Sequence, residues 1–186
     1  MNNKKLLLFG SIGSGKSSLA SNLKYLIPVF ELDDINRKLI MPGNEGYKRL
    51  YQNLGKEFFT SEQIDKKKLK EALFNNSILK NEIESILHPL IINNIKAIVN
   101  DLDSYLLVTP LTKNLIKNFH FDYKIKMTCD LNEQIKRVQS RDNIDKKLIN
   151  KIIQSQEKDY SFIKPDFEID SRLSIEEQKK ELISRL

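Results

Sequence analysis

Residues 10–17 have the residue types and the spacing of a phosphate-binding loop. They read GSIGSGKS, which is a full match to the pattern G-x-x-x-x-G-K-[ST]. Glycine at the tight positions lets backbone N–H groups wrap around phosphate oxygens along a path that a Cβ would block. Lys16 would bring a positive charge to the β- and γ-phosphates, and the Ser17 hydroxyl would bind Mg²⁺. The loop is therefore predicted to bind a nucleoside triphosphate.

The sequence on both sides of the loop fits this function. An apolar run at residues 6–9 predicts a strand before the loop, and apolar residues at helical spacing follow it: Leu19, Ala20, Leu23 and Leu26. The predicted helix begins near Gly15, so the positive end of its dipole would face the bound anion.

Acidic residues at the end of the next apolar run could activate an acceptor. We predict a strand at residues 29–33, in which Glu31 and Asp33 share one face at the carboxyl end. Ligands of parallel α/β sheets bind at that edge. Phosphoryl transfer needs a carboxylate that orients and deprotonates the attacking hydroxyl. Asp33 is the predicted base, and the alternative is that it caps the helix that follows.

Two arginines within residues 134–142 could act on the same triphosphate. Arg137 and Arg141 are four residues apart, so a helix would place them on one face. Their guanidinium groups could close over the phosphates as a lid and stabilise the transferring group. The alternative is a pair of solvent-exposed surface arginines.

Other classes of P-loop protein fit the sequence less well. No aspartate is followed by glycine three places later and N-K-x-D is absent, which argues against a GTPase. The apolar run at residues 105–109 ends at Pro110 instead of the acidic residue of a Walker B strand, which argues against a motor ATPase. A small-molecule kinase is the predicted class.

Short apolar runs alternate with longer helical patterns, which predicts an α/β fold with a five-stranded parallel sheet flanked by helices. The predicted strands are residues 6–9, 29–33, 105–109, 123–129 and 167–170. Between Ile35 and Asn100 no strand is predicted. Apolar residues three and four apart predict helices there, with a helix break at Pro89, and these could form a lobe for the acceptor.

The carboxyl-terminal half carries further helical patterns. A pair of helices is predicted at residues 131–142 and 144–158, joined at Asn143. A terminal amphipathic helix is predicted at residues 174–185, where Ser174 and the glutamate three residues later form a capping box.

Composition limits the partners and the compartment. The net charge of +6 comes mostly from lysines spread along predicted helices, without the arginine stripe and interleaved aromatics of a nucleic-acid site. The lone cysteine, Cys129, can form no internal disulfide, which is typical of a reducing compartment, and it is predicted to be a core residue. No run of about 20 apolar residues predicts a membrane span. We expect a cytoplasmic protein of one domain, and oligomeric state is not predicted.

Several segments together resemble dephospho-coenzyme A kinases, and the likeness runs along nearly the whole chain. The matching positions are residues 12–17, 28–29, Asp33, Ile35, Arg37, 42–43, 54–57, 64–65, 87–91, 110–111, Arg137, 141–142, Gln156 and 169–170. The run from Leu87 to Ile91, which reads LHPLI, is a signature that few other P-loop kinases share.

The resemblance implies a P-loop kinase fold and a specific reaction. The enzyme would transfer the γ-phosphoryl group of ATP, with Mg²⁺, to the ribose 3′-hydroxyl of dephospho-coenzyme A, giving coenzyme A and ADP. The core would comprise residues 1–34 and 101–186, the helical acceptor lobe about 35–100, and the lid about 134–160.

The resemblance also implies roles for individual residues. Asp33 and Lys16 would be catalytic, and Ser17 would be the metal ligand. The predicted ATP-binding residues are Ser11, Gly13, Ser14, Gly15, Lys16, Ser17, Ser18, Arg137 and Arg141. The predicted acceptor-binding residues are Asp33, Arg37, His88 and Pro89.

The sequence departs from the family pattern at acceptor and lid positions. The unusual residues are Phe9, Ser11, Glu31 in place of the first aspartate of D-x-D, Ile92, and Thr112, Lys113 and Asn114. A lid arginine is also missing from residues 157–164. Two alternatives therefore stay open: a kinase of another small alcohol or nucleoside, and a nucleotide-binding protein without catalysis.

Overall fold

Five parallel strands form a sheet with the order β2-β3-β1-β4-β5 in the computed structural model. The strands are β1 (Lys5–Phe9), β2 (Val29–Glu31), β3 (Tyr105–Thr109), β4 (Tyr123–Thr128) and β5 (Phe167–Asp170). The structure describes residues 3–60, 63–65, 68–69, 72–73, 76–110 and 117–186. The predicted five-stranded parallel sheet is confirmed.

Helices connect the strands. The helices with described bounds are α1 (Lys16–Leu23), α2 (Leu32–Leu39), α3 (Glu45–Leu54), a 3₁₀ turn at Lys56–Phe58, α4 (Ser77–Val99), α5 (Leu131–Asp142), α6 (Lys146–Tyr160) and α7 (Ile175–Arg185). Within the described ranges, no helix is both long enough and apolar enough to cross a membrane.

The central strand β1 anchors the core of the sheet. Its residues Leu6, Leu7, Leu8 and Phe9 are all buried, because β3 and β4 pair with its two edges and helices cover its faces. A continuous apolar run of this kind is typical of a parallel strand that is buried on both faces. The phosphate-binding loop leaves the sheet from the end of this rigid strand.

The second strand ends two residues earlier than predicted. Its pairing with β3 stops at Glu31, opposite Val108, and α2 begins at Leu32. Leu32 and Ile35 are both buried, which fits one face of a helix. Asp33 lies in the first turn of α2, where a carboxylate is stabilised by the helix dipole. The prediction that Glu31 and Asp33 share one strand face is therefore wrong.

The carboxyl-terminal helices largely match the predictions. Asn143 has the left-handed backbone conformation, with φ of 50°, and ends α5. Helix α6 begins two residues later than predicted because the Asp145 side chain caps it. The capping box of α7 is confirmed: the Ser174 hydroxyl accepts from the Glu177 N–H, and the Glu177 carboxylate accepts from the Ser174 N–H. Strand β4 ends at Thr128, one residue early.

Helix α4 continues through Pro89, so the predicted helix break is wrong. A proline inside a helix removes one backbone hydrogen bond and costs about 3 kcal/mol. Here a buried stripe at every fourth position runs along both halves of the helix: Ile83, Leu87, Ile91, Ile95 and Val99. Burial of this stripe offsets the proline and keeps the helix continuous.

The chain divides into two compact units. The first is Met1–Leu32 with Asp101–Leu186, and it contains the sheet, α1, α5, α6 and α7. The second is Asp33–Asn100, and it contains α3 and α4. The division into a core, an acceptor lobe and a lid, with their predicted boundaries, stays a prediction.

Gly46 is the point where three helices of the second unit meet. A Cβ at Gly46 of α3 would lie 2.7 Å from the carbonyl oxygen of Leu39 in α2 and 3.3 Å from Cδ2 of Leu87 in α4. The absence of a side chain at this position therefore sets the approach of α3 to both neighbouring helices.

We expect Gly46→Ala to destabilise the protein by about 1–3 kcal/mol, because the added methyl group meets a backbone carbonyl that cannot rotate away. In an open helical position the same change stabilises by up to about 1 kcal/mol, so the sign of the effect is informative. Thermal unfolding measures it, with Gln52→Ala on exposed α3 surface as the control. An unchanged or raised melting temperature for Gly46→Ala would contradict the close helix packing.

Candidate functional site

The phosphate-binding loop has a backbone that requires glycine at two of its central positions. Gly13 has φ of 77°, and a Cβ there would lie 2.8 Å from the Gln134 carbonyl oxygen. Gly15 has φ of 96°, and a Cβ there would lie 2.7 Å from Cβ of Ser171. Both the conformation and the space exclude other residues.

Polar side chains from α5 and α6 hold the loop from outside. The Ser11 hydroxyl donates to Oε1 of Gln134 over 3.1 Å, and the Ile12 N–H donates to Oε1 of Gln156 over 2.7 Å. The Tyr160 hydroxyl, on a buried residue, donates to the Gly10 carbonyl oxygen over 2.8 Å. Three consecutive loop residues are thus positioned by the protein itself before any phosphate binds.

Lys16 and Ser17, the residues predicted to bind phosphate and Mg²⁺, are the first two residues of α1. Gly15 is the N-cap and has no side chain to accept from the first turn, so those N–H groups can bind an anion. The Lys16 ammonium donates to the Ser11 carbonyl oxygen over 3.0 Å. The Ser17 hydroxyl donates to Oε2 of Glu31, at the end of β2, over 2.8 Å.

The other serines of the loop differ in exposure. Ser11 and Ser14 are buried, and Oγ of Ser14 has no hydrogen-bond partner among the described residues. Ser14 contributes its backbone N–H to the Ser11 carbonyl oxygen, 3.1 Å away. Ser18 is exposed in the first turn of α1. Ser14 therefore shapes the loop from within, whereas Ser17 and Ser18 face outward.

Arg137 lies against the loop. Its Nη1 donates to the Ser171 hydroxyl over 2.9 Å, and its Nε donates to Oε1 of Glu133 over 3.0 Å. The same Nη1 is 3.7 Å from the position that a Cβ on Gly15 would occupy. Arg141, one turn further along α5, donates to the carboxylate of Asp142 over 2.6 Å and 2.8 Å. The structure brings Arg137 to the loop, and the role of Arg141 stays a prediction.

A carboxylate–guanidinium pair lies at the end of β5, beside Ser171. Arg172 donates two hydrogen bonds from Nε and Nη2 to the Asp170 carboxylate, the shorter over 2.6 Å. These hydrogen bonds, together with the Arg172 N–H, hold the pKa of Asp170 below its ordinary value. Asp170 stays ionised, so Arg137 and Arg172 face a fixed negative charge at this edge of the sheet.

The predicted acceptor-binding residues belong to the second unit. Asp33 and Arg37 are exposed and lie one turn apart on α2. Arg37 donates to Oδ1 of Asp34 over 2.6 Å. His88 is half-buried and Pro89 is exposed, both in the middle of α4. Their binding roles stay predictions, and Leu111, Thr112, Lys113 and Asn114 lie outside the described residues.

Several residues of the site carried little signal in the sequence. Glu31 stood out at the carboxyl end of the second strand and as a departure from D-x-D, but not as a partner of Ser17, and Gln156 stood out only as a matching position. Gln134, Tyr160 and Ser171 belong to no short motif. They reach the loop from 123 and 150 residues away in the case of Gln134 and Tyr160. Only the folded chain brings such residues together.

Comparison with known proteins adds an independent observation. A family model described as dephospho-CoA kinase matches residues 6–164. The dephospho-CoA kinase of Pseudoalteromonas translucida is 32% identical over 160 residues, which cover 84% of this chain and 76% of that protein.

Solved structures share the fold at lower identity. The dephospho-CoA kinase of Campylobacter jejuni superposes with a TM-score of 0.63 at 21% identity, covering 99% of this chain and 95% of that one. Shikimate kinase from Bacteroides thetaiotaomicron superposes with a TM-score of 0.56 at 14% identity, covering 97% of both chains. The architecture is that of P-loop kinases.

We expect Tyr160→Phe to lower the free energy of unfolding by about 1–2 kcal/mol, because the Gly10 carbonyl oxygen loses its hydroxyl donor while the ring contact with Phe9 is kept. Thermal unfolding should show a melting temperature lower by about 2–8 °C, and ATP should bind less tightly. Tyr25→Phe, at a residue that is 96% exposed, is the matched control. Equal behaviour of the two variants would show that the hydroxyl does not support the loop.

Proposed function

Because the chain belongs to the dephospho-CoA kinase family, we propose that it transfers the γ-phosphoryl group of ATP to the ribose 3′-hydroxyl of dephospho-coenzyme A. The products are coenzyme A and ADP, and the step is the last of coenzyme A synthesis. The observation that carries this conclusion is the extent of the family match. It includes both the phosphate-binding loop and the whole second unit.

ATP binding is supported by the loop and by its cationic neighbours. The loop N–H groups and the amino end of α1 would bind the β- and γ-phosphates, with Lys16 as the nearest point charge. Arg137 already lies beside Gly15, so its guanidinium can balance the negative charge that develops on the transferring group. The protein would contribute mainly positioning and electrostatic stabilisation.

The residues near Ser17 fit a magnesium ion. Mg²⁺ prefers hard oxygen ligands, and the Ser17 hydroxyl and the Glu31 carboxylate lie together, 2.8 Å apart. We propose that these two side chains hold the ion, directly or through water. When bound, the ion would neutralise charge on the phosphate oxygens. A glutamate reaches further than aspartate, so Glu31 can serve where the family has a shorter residue.

Asp33 is the proposed base. It follows Glu31 by two residues, and two residues of chain span at most about 7 Å. The Glu31 side chain contacts Ser17, so the covalent chain alone keeps the Asp33 backbone close to the proposed metal ligands. Its carboxylate is exposed, and we propose that it accepts the proton of the ribose hydroxyl. Arg37, His88 and Pro89 are proposed to bind the acceptor.

We propose that the enzyme works in the cytoplasm on small-molecule substrates. A cytoplasmic location is supported by the single cysteine and by the dependence of the reaction on ATP. The lysine-rich surface without an arginine stripe supports a small-molecule partner over nucleic acid.

We expect Lys16→Ala to lower the rate of coenzyme A formation by at least about 100-fold, because the transferring phosphoryl group loses its closest positive charge. The assay incubates the enzyme with ATP, Mg²⁺ and dephospho-coenzyme A and detects the 3′-phosphorylated product. Lys24→Ala, at the exposed end of α1, is the control. Substantial residual activity in Lys16→Ala would contradict the assignment of the loop.

We expect Asp33→Asn to lower kcat by about 10²–10⁴-fold with little change in ATP affinity, because the amide cannot accept the ribose proton. Asp34→Asn removes a carboxylate from the same helical turn and should keep kcat within about threefold of wild type if Asp33 is the only base. An Asp33→Asn enzyme with nearly normal turnover would rule out this base.

A panel of acceptors tests substrate identity. We expect ADP release to be fastest with dephospho-coenzyme A and slow with adenosine, deoxyadenosine or shikimate, since the fold alone is shared by kinases of different acceptors. Faster release with one of the other acceptors would replace the proposed substrate. Tight ATP binding with no transfer to any of them would indicate a nucleotide-binding protein without catalysis.

A further inference from the structure

The second unit contains a cavity of about 410 Å³ whose walls are largely aromatic. It is lined by Tyr47, Tyr51, Lys56, Phe59 and Thr60. The two tyrosine rings stack with centroids 6.4 Å apart and an interplanar angle of 12°. The Phe59 ring meets both edge-on, at 5.3 Å from Tyr47 and 5.1 Å from Tyr51. None of the residues predicted from the sequence to bind the acceptor lines this cavity.

Regular secondary structure holds the three rings in place. Tyr47 and Tyr51 are four residues apart on α3, so their rings project from one face. Gly55, with φ of 70°, ends α3 and lets the chain turn back through the 3₁₀ turn. Phe59 then pairs through its backbone with Ile64, which fixes its position beneath the tyrosines.

The rings remain accessible although the unit has an apolar core. Phe58 is buried, whereas its neighbour Phe59 is only partly buried and turns to the cavity. Tyr51 is 37% exposed. Phe58 is therefore part of the core, whereas the ring of Phe59 lines the solvent-accessible cavity together with the two tyrosines.

Lys56 gives the cavity a positive charge. Among the described residues, no carboxylate lies within ion-pairing distance of its ammonium group. The neighbouring Glu57 faces Lys68 instead, at 3.9 Å. The Thr60 hydroxyl, which also lines the cavity, already donates to the Gln63 carbonyl oxygen. Within the part of the chain that the structure describes, the cavity thus offers aromatic faces and a lysine without a carboxylate partner.

We propose that this aromatic cavity binds the adenine ring of dephospho-coenzyme A, with Lys56 facing its diphosphate. The inference rests on the proposed function. Purine rings stack on aromatic side chains, and a lysine beside them complements a phosphate chain. The other end of the acceptor is a flexible chain of amides without an aromatic ring, so the three rings of this cavity match it less well than they match a purine. A volume of 410 Å³ is within the range of ligand pockets.

Steady-state kinetics of two variants test the cavity. Tyr51→Leu and Phe59→Leu keep apolar bulk but remove the π-face. Each should raise the KM for dephospho-coenzyme A about tenfold while leaving the KM for ATP unchanged, because loss of one stacking partner weakens binding by that order. Tyr51→Phe, which keeps the ring, should have the wild-type KM for dephospho-coenzyme A. Tyr25→Leu, at an exposed position in the first unit, is the matched control.

A binding experiment identifies which end of the acceptor occupies the cavity. The chain contains no tryptophan, so Tyr51→Trp introduces a single indole reporter. In a Lys16→Ala background, which weakens nucleotide binding at the loop, dephospho-coenzyme A and ADP should quench its fluorescence. In the same background, 4′-phosphopantetheine should neither quench it nor compete. Tyr25→Trp, the control, should respond to none of them.

Quenching by 4′-phosphopantetheine but not by ADP would overturn the adenine assignment. So would unchanged KM values for dephospho-coenzyme A in both leucine variants that unfold at the wild-type temperature. If the leucine variants do not fold, the fluorescence titration decides alone. If dephospho-coenzyme A quenches the Tyr51→Trp reporter while the wild-type enzyme transfers no phosphoryl group to it, the proposed function is refuted and the cavity assignment stands.

Discussion

The close packing of the phosphate-binding loop against the chain around it is the constraint on which the site depends. A Cβ on any of three loop glycines would lie within 2.6–2.8 Å of a neighbour: Met127 at the end of β4, Gln134 in α5, and Ser171 after β5. The loop therefore touches three separate parts of the first unit with its bare backbone. Gln156 accepts from the Ile12 N–H and Tyr160 donates to the Gly10 carbonyl oxygen, while Gln134 accepts from the Ser11 hydroxyl, so three side chains hold the loop from outside. Such preorganisation means that little reorganisation is needed when phosphate binds.

The two binding tasks belong to different units of the chain. Every described residue proposed to bind ATP or Mg²⁺ lies in the first unit, whereas the proposed base and the acceptor residues lie in the second. The chain passes from one to the other between Leu32 and Asp33, directly after Glu31. Only Leu32 lies between the proposed metal ligand, Glu31, and the proposed base, Asp33, along the chain.

The sequence predicts the elements well wherever short-range patterns decide. The loop motif, the buried strands and the capping box at Ser174 follow from residue type and local spacing. Asp33 was misplaced because a three-residue strand gives alternation too few positions to distinguish it from the first turn of a helix. Pro89 was misread because the burial of α4 outweighs a local preference. The loop contacts of Gln134 and Tyr160 were invisible, since their partners lie more than 100 residues away.

The attachment of α5 and α6 to the loop also has a mechanical consequence. Gln134 lies in the first turn of α5, and Gln156 and Tyr160 lie in the last turns of α6, so the helical hairpin is tethered at both of its roots. Its tip is Asn143, the left-handed residue between the two helices, far along the chain from either tether. If the two helices move as one body, the displacement would be smallest where they are bonded to the loop and largest at Asn143. Substitutions near Asn143 should then change how far the tip of the hairpin moves. Substitutions of Gln134, Gln156 or Tyr160 should change the conformation of the phosphate-binding loop and its affinity for phosphate.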